Sequence, residues 1–256
     1  MKPNLPELAS KYDTDKNISS GYLDNYTRHF SHLREQPVKL LELGVYHGGS
    51  LLMWNEYFAN GHIAGLDINP NPMPSTPERV KFFQGSQGDH ALLHSIANKV
   101  APDGFDVIID DAAHVGTLAR SSFQAMFDDH LKHGGIYVIE DWGTGYWGSW
   151  PDGQVYDPSV RAPRSPDSRG KLMRTRMTKK VLSALGLGNL SRLAGRYDPD
   201  FAVHNFGMVG FVKEIVDFIA WGDITRPDQG NPSLPQPRSR IKEISIYPGQ
   251  VFVVKA

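Results

Sequence analysis

One stretch of the chain carries the main signal for its architecture: Lys39-Leu40-Leu41-Glu42-Leu43-Gly44-Val45-Tyr46-His47-Gly48-Gly49-Ser50. Its first half is apolar, as in a buried β-strand, and its second half is a glycine-rich turn before an apolar helical pattern. Glycines at such a turn let a ligand approach the backbone N–H groups at the start of the helix. A plain tight turn gives the same pattern, so the acidic residue before the glycines is the more specific feature.

The alternation of strand and helix continues along the chain. Short apolar runs predict parallel strands at 38–43, 62–68, 79–84, 105–111 and 135–140. Helical patterns lie at 21–35, 50–58, 90–100, 117–131, 171–185 and 208–221, and 223–238 is a connector containing proline and glycine. Alternating residues on either side of Pro248-Gly249 predict an antiparallel hairpin. The predicted fold class is therefore α/β: a doubly wound, Rossmann-like sheet, mostly parallel, with a C-terminal antiparallel hairpin.

Length and charge limit the classes of function. The 256 residues suffice for one large domain, which we divide into an N-terminal helical cap at 1–36 and a main domain at 37–256, with an inserted substrate lid at about 143–200. The net charge of −1 gives no global field for nucleic acid or an anionic membrane. No signal peptide or apolar span is visible, and the absence of cysteine suits a reducing compartment, so we expect a cytoplasmic protein. A homo-oligomer is an alternative to a monomer.

Acidic side chains at the predicted strand ends indicate the cofactor. Glu42 beside the glycine loop would repel a pyrophosphate but suits a ligand with an amino group and a sulfonium centre, which favours S-adenosylmethionine over NAD. Asp67 ends the next strand, where a carboxylate can accept hydrogen bonds from ribose hydroxyls; the alternative is that it caps a helix. Gln87 follows the third strand and is expected at the adenine end. An NAD(P)-dependent oxidoreductase is the alternative, but the loop lacks G-x-G-x-x-G spacing.

Four carboxylates follow two other strands, as Asp110-Asp111 and Glu140-Asp141. Such a cluster is costly unless it is protonated, paired or metal-bound. Oxygen ligands favour a hard cation, Mg²⁺ first, with Mn²⁺ or Ca²⁺ as alternatives, and the proposed ligands are Asp111, Glu140 and Asp141. A metal there would polarise an acceptor hydroxyl, and His114 would remove its proton, so Asp111 and His114 are the catalytic candidates. His114 could instead cap a helix, and Asp110 could form a salt bridge.

These motifs resemble a known family, the sugar O-methyltransferases of the mycinamicin and macrocin type, with cephalosporin-hydroxylase-like and rhamnosyl-methylating relatives. The resemblance covers roughly residues 11–147 and is carried by KYDTDK at 11–16, LELG at 41–44, GGSL at 48–51, GLDI at 65–68, DD with His114, and IED at 139–141. Ala112-Ala113 departs from the family's common Gly-Ser, and Ser86 stands where an acid is common.

The resemblance implies the same metal site, the base and a set of cofactor contacts. It places Lys16 and Tyr26 near the methionyl end of the cofactor. The full set of expected cofactor contacts is Lys16, Tyr26, Glu42, Gly44, Ser50, Asp67, Ile68, Gln87 and Asp110.

Aromatic residues crowd just beyond the predicted metal ligands. Trp142, Tyr146 and Trp147, with Trp150 nearby, offer flat apolar surfaces that suit a sugar ring, although any one of them could fill a core instead. The expected acceptor is therefore a glycoside or an oligosaccharide: a macrolide sugar, or a partially methylated mannoside or glucoside of a polysaccharide. A carbohydrate-binding protein without turnover is the alternative from another class.

Overall fold

The computed structural model of this chain describes residues 2–17, 21–159, 204–224 and 240–256. The helices are α1 (Leu5–Lys11), α2 (Tyr22–Phe30), α3 (Gly49–Tyr57), α4 (His90–Val100), α5 (Gly116–His130) and α6 (Gly207–Ile224). The strands are β1 (Lys39–Leu43), β2 (His62–Asp67), β3 (Val80–Gln84), β4 (Phe105–Asp110), β5 (Leu131–Glu140), β6 (Ile241–Tyr247) and β7 (Gln250–Lys255).

The strands form one sheet in the order β3-β2-β1-β4-β5-β7-β6. Neighbouring strands from β3 to β5 are parallel, whereas β7 runs antiparallel to both β5 and β6. Leu43 pairs with Leu66 and with Asp110, so the carboxyl ends of β1, β2 and β4 meet at one edge. The predicted doubly wound sheet with a terminal antiparallel hairpin is therefore confirmed.

Apolar residues cover both faces of the sheet, as a buried parallel sheet requires. Side chains of α4, α5 and α6 pack on one face with Leu41 and Leu43 of β1. Side chains of α1, α2 and α3 pack on the other face, beside Leu40. Because side chains alternate along a strand, Glu42 lies on the same face as Leu40, below α3.

Several predicted boundaries differ from the structure. The α-helix predicted at 21–35 ends at Phe30 and continues as a short 3₁₀ turn at Ser31–Leu33. Strand β5 begins at Leu131, four residues early, because Leu131 pairs with Phe105 ahead of a register shift in the ladder. Helix α1 was not predicted; its seven residues are too few for a periodic pattern, although Asn4 and Glu7 form a capping box. The predicted helix 171–185 lies outside the described residues.

The chain divides into two compact units, Met1–Val155 with Asn205–Ala256, and Tyr156–His204. Of the second unit, residues 156–159 and 204 are described, and there the rings of Tyr156 and His204 lie 5.3 Å apart. The predicted cap and lid boundaries stay a prediction. Among the described helices, none combines the length and apolar character needed to cross a bilayer.

The buried carboxylate of Asp152 caps the N-terminal ends of two helices. The Oδ2 atom of Asp152 accepts hydrogen bonds from the backbone N–H of Gly116, at 2.7 Å, and of Met208, at 2.8 Å. Gly116 is the first residue of α5 and Met208 the second of α6, and α5 has no side-chain cap from its own N-cap residue, Val115. Asp152 therefore satisfies orphan donors of both helices and fixes the segment that carries His114.

We expect Asp152→Ala to lower the free energy of unfolding by about 2 kcal/mol, since one helix cap is worth about 1 kcal/mol and two are lost. Urea denaturation monitored by circular dichroism measures the change. Asp103→Ala, which removes an exposed carboxylate from a turn, is the matched control. Equal stabilities for the two variants would contradict the capping role.

Candidate active site

The loop between β1 and α3 depends on two glycines in left-handed conformations. Gly44 has a φ of +89° and Gly48 a φ of +85°, where other side chains are disfavoured. A Cβ on Gly44 would overlap the backbone carbonyl of Asp111, because the end of β1 lies directly beside the end of β4. The glycine thus lets the loop lie close against the strand ends, beneath a cavity.

This cavity has a volume of about 480 Å³ and lies over the carboxyl ends of the parallel strands. Half of the predicted site residues line it: Gly44, Ser50, Asp67, Ile68, Gln87, Asp111, His114 and Asp141. The other half do not line it: Lys16, Tyr26, Glu42, Asp110, Glu140, Trp142, Tyr146 and Trp147. The roles of all sixteen residues stay predictions. In the second set, protein partners are described below for the side chains of Lys16, Tyr26, Glu42, Asp110, Glu140 and Trp142.

Asp67 is held in the cavity wall as a carboxylate. Its Oδ2 atom accepts hydrogen bonds from the backbone N–H groups of Val45, at 2.8 Å, and Tyr46, at 3.2 Å, and its Oδ1 atom accepts one from Asn69, at 2.9 Å. Partial burial opposes ionisation, but these N–H donors outweigh it and lower the pKa of Asp67 below its usual range. The residue is therefore a fixed negative group at the end of β2, and it orders the glycine loop.

Glu42 lies beneath the cavity, fully buried among protein partners. It accepts hydrogen bonds from the Ser50 hydroxyl, at 2.7 Å, and from the Trp54 indole, at 3.4 Å. The Lys16 ammonium lies 3.1 Å from its Oε1 atom. Burial raises the pKa of Glu42, and Lys16 opposes that rise. Its nearest described contact with the cavity is through Ser50, which does line the wall.

Lys16 is the centre of the buried charge cluster. Its side chain is 1% exposed, and its Nζ atom lies 2.7 Å from Asp111 Oδ2 and 3.0 Å from Glu140 Oε1, in addition to Glu42. Burial lowers the pKa of Lys16, but these three carboxylates outweigh it and hold that pKa well above its usual value. The Tyr26 hydroxyl also donates to Glu140. Burial and the nearby Asp111 nevertheless raise the pKa of Glu140 well above normal, which favours its neutral form. Three acidic side chains, Glu42, Asp111 and Glu140, thus surround one ammonium group.

Asp110 belongs to a separate buried network. It accepts hydrogen bonds from Gln87 Nε2, at 2.9 Å, from the Ser122 hydroxyl, at 2.5 Å, and from the Tyr137 hydroxyl, at 3.1 Å. Gln87 in turn accepts a hydrogen bond from the backbone N–H of Ala113, at 2.9 Å. Asp110 therefore acts on the site through Gln87, which fixes the backbone just before His114.

Asp111, His114 and Asp141 meet at the far end of the cavity. Each offers one ligand atom, and the three atoms lie within 4.8 Å of one another. His114 Nε2 is 3.8 Å from Asp111 Oδ1 and 3.7 Å from Asp141 Oδ2, too far for direct hydrogen bonds. Two carboxylates that each direct one oxygen towards the same space fit a hard divalent cation. Glu140, the third predicted ligand, faces Lys16 and Tyr26 here, so its coordination of a metal stays a prediction.

Two of these three residues have unusual backbones. His114 has a φ of 50° and Asp141 a φ of 53°, the left-handed region that residues other than glycine rarely adopt. Such conformations cost about 1–3 kcal/mol each and are concentrated at functional sites. The fold therefore imposes local strain to bring these side chains together.

The predicted acceptor aromatics have different surroundings. Trp147 is 56% exposed, whereas the indole of Trp142 donates to the Tyr247 carbonyl, at 2.9 Å, and packs against the core. Trp150 contacts the candidate base: its ring lies edge-on to His114, with centroids 5.1 Å apart.

Sequence reasoning missed two residues at this site. Tyr22 donates a hydrogen bond to Asp141, and Asp152 fixes the helix after His114. Tyr22 lies four residues before Tyr26 on one helix, so this spacing was an available signal. Nothing local to Asp152 marks it, because both of its partners are distant in sequence.

No family profile matches the chain. Over 154 residues the chain is 42% identical to the mycinamicin VI 2''-O-methyltransferase of Micromonospora griseorubida and 40% identical to the demethylmacrocin O-methyltransferase of Streptomyces fradiae. Each match covers 57% of this chain and 38% of the relative, so the matched segment spans well under half the length of these proteins.

The structure is similar to that of MycE, a methyltransferase of the mycinamycin biosynthetic pathway solved in complex with Mg and SAH. The TM-score is 0.69 at 29% identity, covering 100% of this chain and 55% of MycE. By sequence and by structure, the resemblance of this chain to the sugar O-methyltransferases of the mycinamicin and macrocin type is therefore confirmed.

Proposed function

We propose that this chain transfers a methyl group from S-adenosylmethionine to a sugar hydroxyl of a glycosylated acceptor, with a divalent cation at the acceptor end. One observation carries the proposal: a single cavity extends from Asp67, at the end of β2, to Asp111, His114 and Asp141. A carboxylate suited to ribose hydroxyls and a cluster suited to a cation thus share one chamber.

The cofactor end of the cavity suits S-adenosylmethionine better than a dinucleotide. Asp67 supplies the ribose acceptor, and Gly44 leaves space against the backbone. The loop between β1 and α3 lacks the glycine spacing of dinucleotide-binding proteins. When bound, S-adenosylmethionine supplies an electrophilic methyl group on a positively charged sulfur. The Asp67 carboxylate in the cavity wall favours that charge.

The metal end suits the activation of a hydroxyl. Asp111 and Asp141, with Glu140 by resemblance, would hold Mg²⁺ or Mn²⁺. When bound, the cation supplies Lewis-acid polarisation of an acceptor oxygen and so makes its proton easier to remove. His114 Nε2 faces the same space and accepts that proton, while Trp150 packs against its ring and limits its rotation. Orientation and charge then account for most of the rate enhancement.

The proposed acceptor is a small glycosylated molecule. The two relatives act, by their names, on mycinamicin VI and demethylmacrocin, and MycE belongs to a mycinamycin pathway. A flat indole at Trp150 beside His114 suits the C–H face of a sugar ring. A partially methylated oligosaccharide of a polysaccharide is the second acceptor class in this proposal. Residues 160–200 of the predicted lid lie outside the described residues.

The function is tested by methyl transfer to a panel of macrolide glycosides, free glycosides and oligosaccharides, with and without EDTA. We expect transfer to at least one glycoside, its loss in EDTA and its return with Mg²⁺. Transfer that persists in EDTA would contradict the metal-dependent mechanism. Binding of NAD(H) in place of S-adenosylhomocysteine would identify an oxidoreductase instead.

We expect Asp67→Asn to weaken S-adenosylhomocysteine binding by about tenfold or more, because hydrogen bonds to a charged group contribute about 1.5–3 kcal/mol. Isothermal titration calorimetry measures the change. The control is Asp103→Asn, which neutralises an exposed carboxylate away from the cavity. Unchanged affinity in Asp67→Asn would remove Asp67 from the cofactor site.

His114→Ala should lower the turnover number by about 10²–10⁴-fold, the usual contribution of a general base. S-adenosylhomocysteine affinity should stay nearly unchanged, because the base acts on the acceptor. Binding of Mn²⁺, followed by electron paramagnetic resonance, separates this role from that of a metal ligand. Loss of Mn²⁺ binding along with turnover would make His114 a ligand and not the base.

A further inference from the structure

Lys16 and Tyr22, from the N-terminal segment, each bind one carboxylate oxygen at the candidate metal site. Asp111 directs Oδ2 to the Lys16 ammonium, at 2.7 Å, and Oδ1 towards His114. Asp141 shows the same division: Oδ1 accepts a hydrogen bond from the Tyr22 hydroxyl, at 2.5 Å, and Oδ2 lies towards His114. Each carboxylate therefore has one oxygen fixed by a protein donor and one facing the common space.

The Tyr22 hydroxyl is a buried donor. The side chain is 5% exposed, and its hydroxyl lies 2.5 Å from Asp141 Oδ1. A tyrosine hydroxyl has one O–H to donate, so its direction is set by the acceptor it meets. Asp141 is the acceptor here, so rotation of its carboxylate is restricted.

The fold makes room for this contact at the β6–β7 turn. Gly249 has a φ of +78°, and a Cβ at that position would overlap the Tyr22 hydroxyl. Beside it, Asn25 of α2 donates to Gln250 of β7, at 3.0 Å, which fixes the helix against the hairpin. Tyr22 of α2 therefore lies against the β6–β7 turn and donates to the Asp141 carboxylate.

From this geometry we propose that Tyr22 is a positioning residue that orients Asp141 for coordination of the divalent cation. The inference rests on the proposed function, because it requires the cation at Asp111 and Asp141. Hydrogen bonds from outside the coordination sphere orient a metal ligand, and their loss typically weakens metal binding about 10–100-fold. Tyr26, one helical turn later, donates to the adjacent Glu140, so α2 orients two consecutive carboxylates.

The test compares Tyr22→Phe with wild type by Mn²⁺ titration, followed by electron paramagnetic resonance, on the whole chain. We expect Tyr22→Phe to bind Mn²⁺ about tenfold more weakly and to need correspondingly more Mg²⁺ for half-maximal turnover. Its turnover number at saturating Mg²⁺ should be close to wild type, because the ligand itself is retained. Tyr57→Phe is the matched control, since it also removes a hydroxyl from a buried tyrosine, on α3.

The possible results separate the inference from the proposed function. Wild type and Tyr22→Phe with equal Mn²⁺ affinity would overturn the role of Tyr22 and leave the metal site intact. If wild type binds no Mn²⁺, or if Asp111→Asn leaves its Mn²⁺ binding unchanged, both the metal site and the role of Tyr22 would be overturned. A melting temperature of metal-free Tyr22→Phe well below that of Tyr57→Phe would assign Tyr22 to folding and overturn the positioning role.

Discussion

The site depends on one electrostatic constraint: four carboxyl groups converge where β4 and β5 end. Several carboxylates buried together destabilise the fold unless cations or hydrogen-bond donors compensate their charge. The structure separates the four. Asp110 is satisfied by Gln87, Ser122 and Tyr137, while Lys16 bridges Asp111 and Glu140. One oxygen each of Asp111 and Asp141 remains directed towards His114, and these two oxygens give the site its chemistry.

The N-terminal segment therefore does more than cover the sheet. Lys16 reaches partners that lie 95 and 124 residues later in the chain, Asp111 and Glu140. Tyr22 and Tyr26 add hydroxyl donors from one face of α2. The strand ends supply the negative charge, and this segment supplies the groups that make its burial tolerable.

Much of the fold could be predicted from the sequence, because buried parallel strands have a strong local signal. The strands up to β4 begin and end within a residue of the prediction, and the placement of Gly44, Asp67 and His114 around one space followed from strand ends meeting at one edge. Side-chain partners were harder to predict. Glu42 was interpreted as a group that meets a cationic ligand, yet its cation in the structure is Lys16. Charge alone cannot distinguish a ligand's cation from the protein's own, and only the three-dimensional path of the chain decides.

The position of β7 inside the sheet has a consequence for the order in which the molecule is assembled. Its partner β5 ends at Glu140, but β7 begins at Gln250, roughly 110 residues later along the chain. Until then the outer edge of β5 exposes unpaired backbone groups next to a forming acidic cluster, and an open edge is a template for wrong pairing. The residues that line the cavity all precede β7 in the chain, so the cavity lies on a sheet whose β5 edge is covered by a much later segment. Strand β7 covers that edge, and its turn with β6 places Gly249 beside Tyr22, so one hairpin serves both the sheet and the contact between Tyr22 and Asp141.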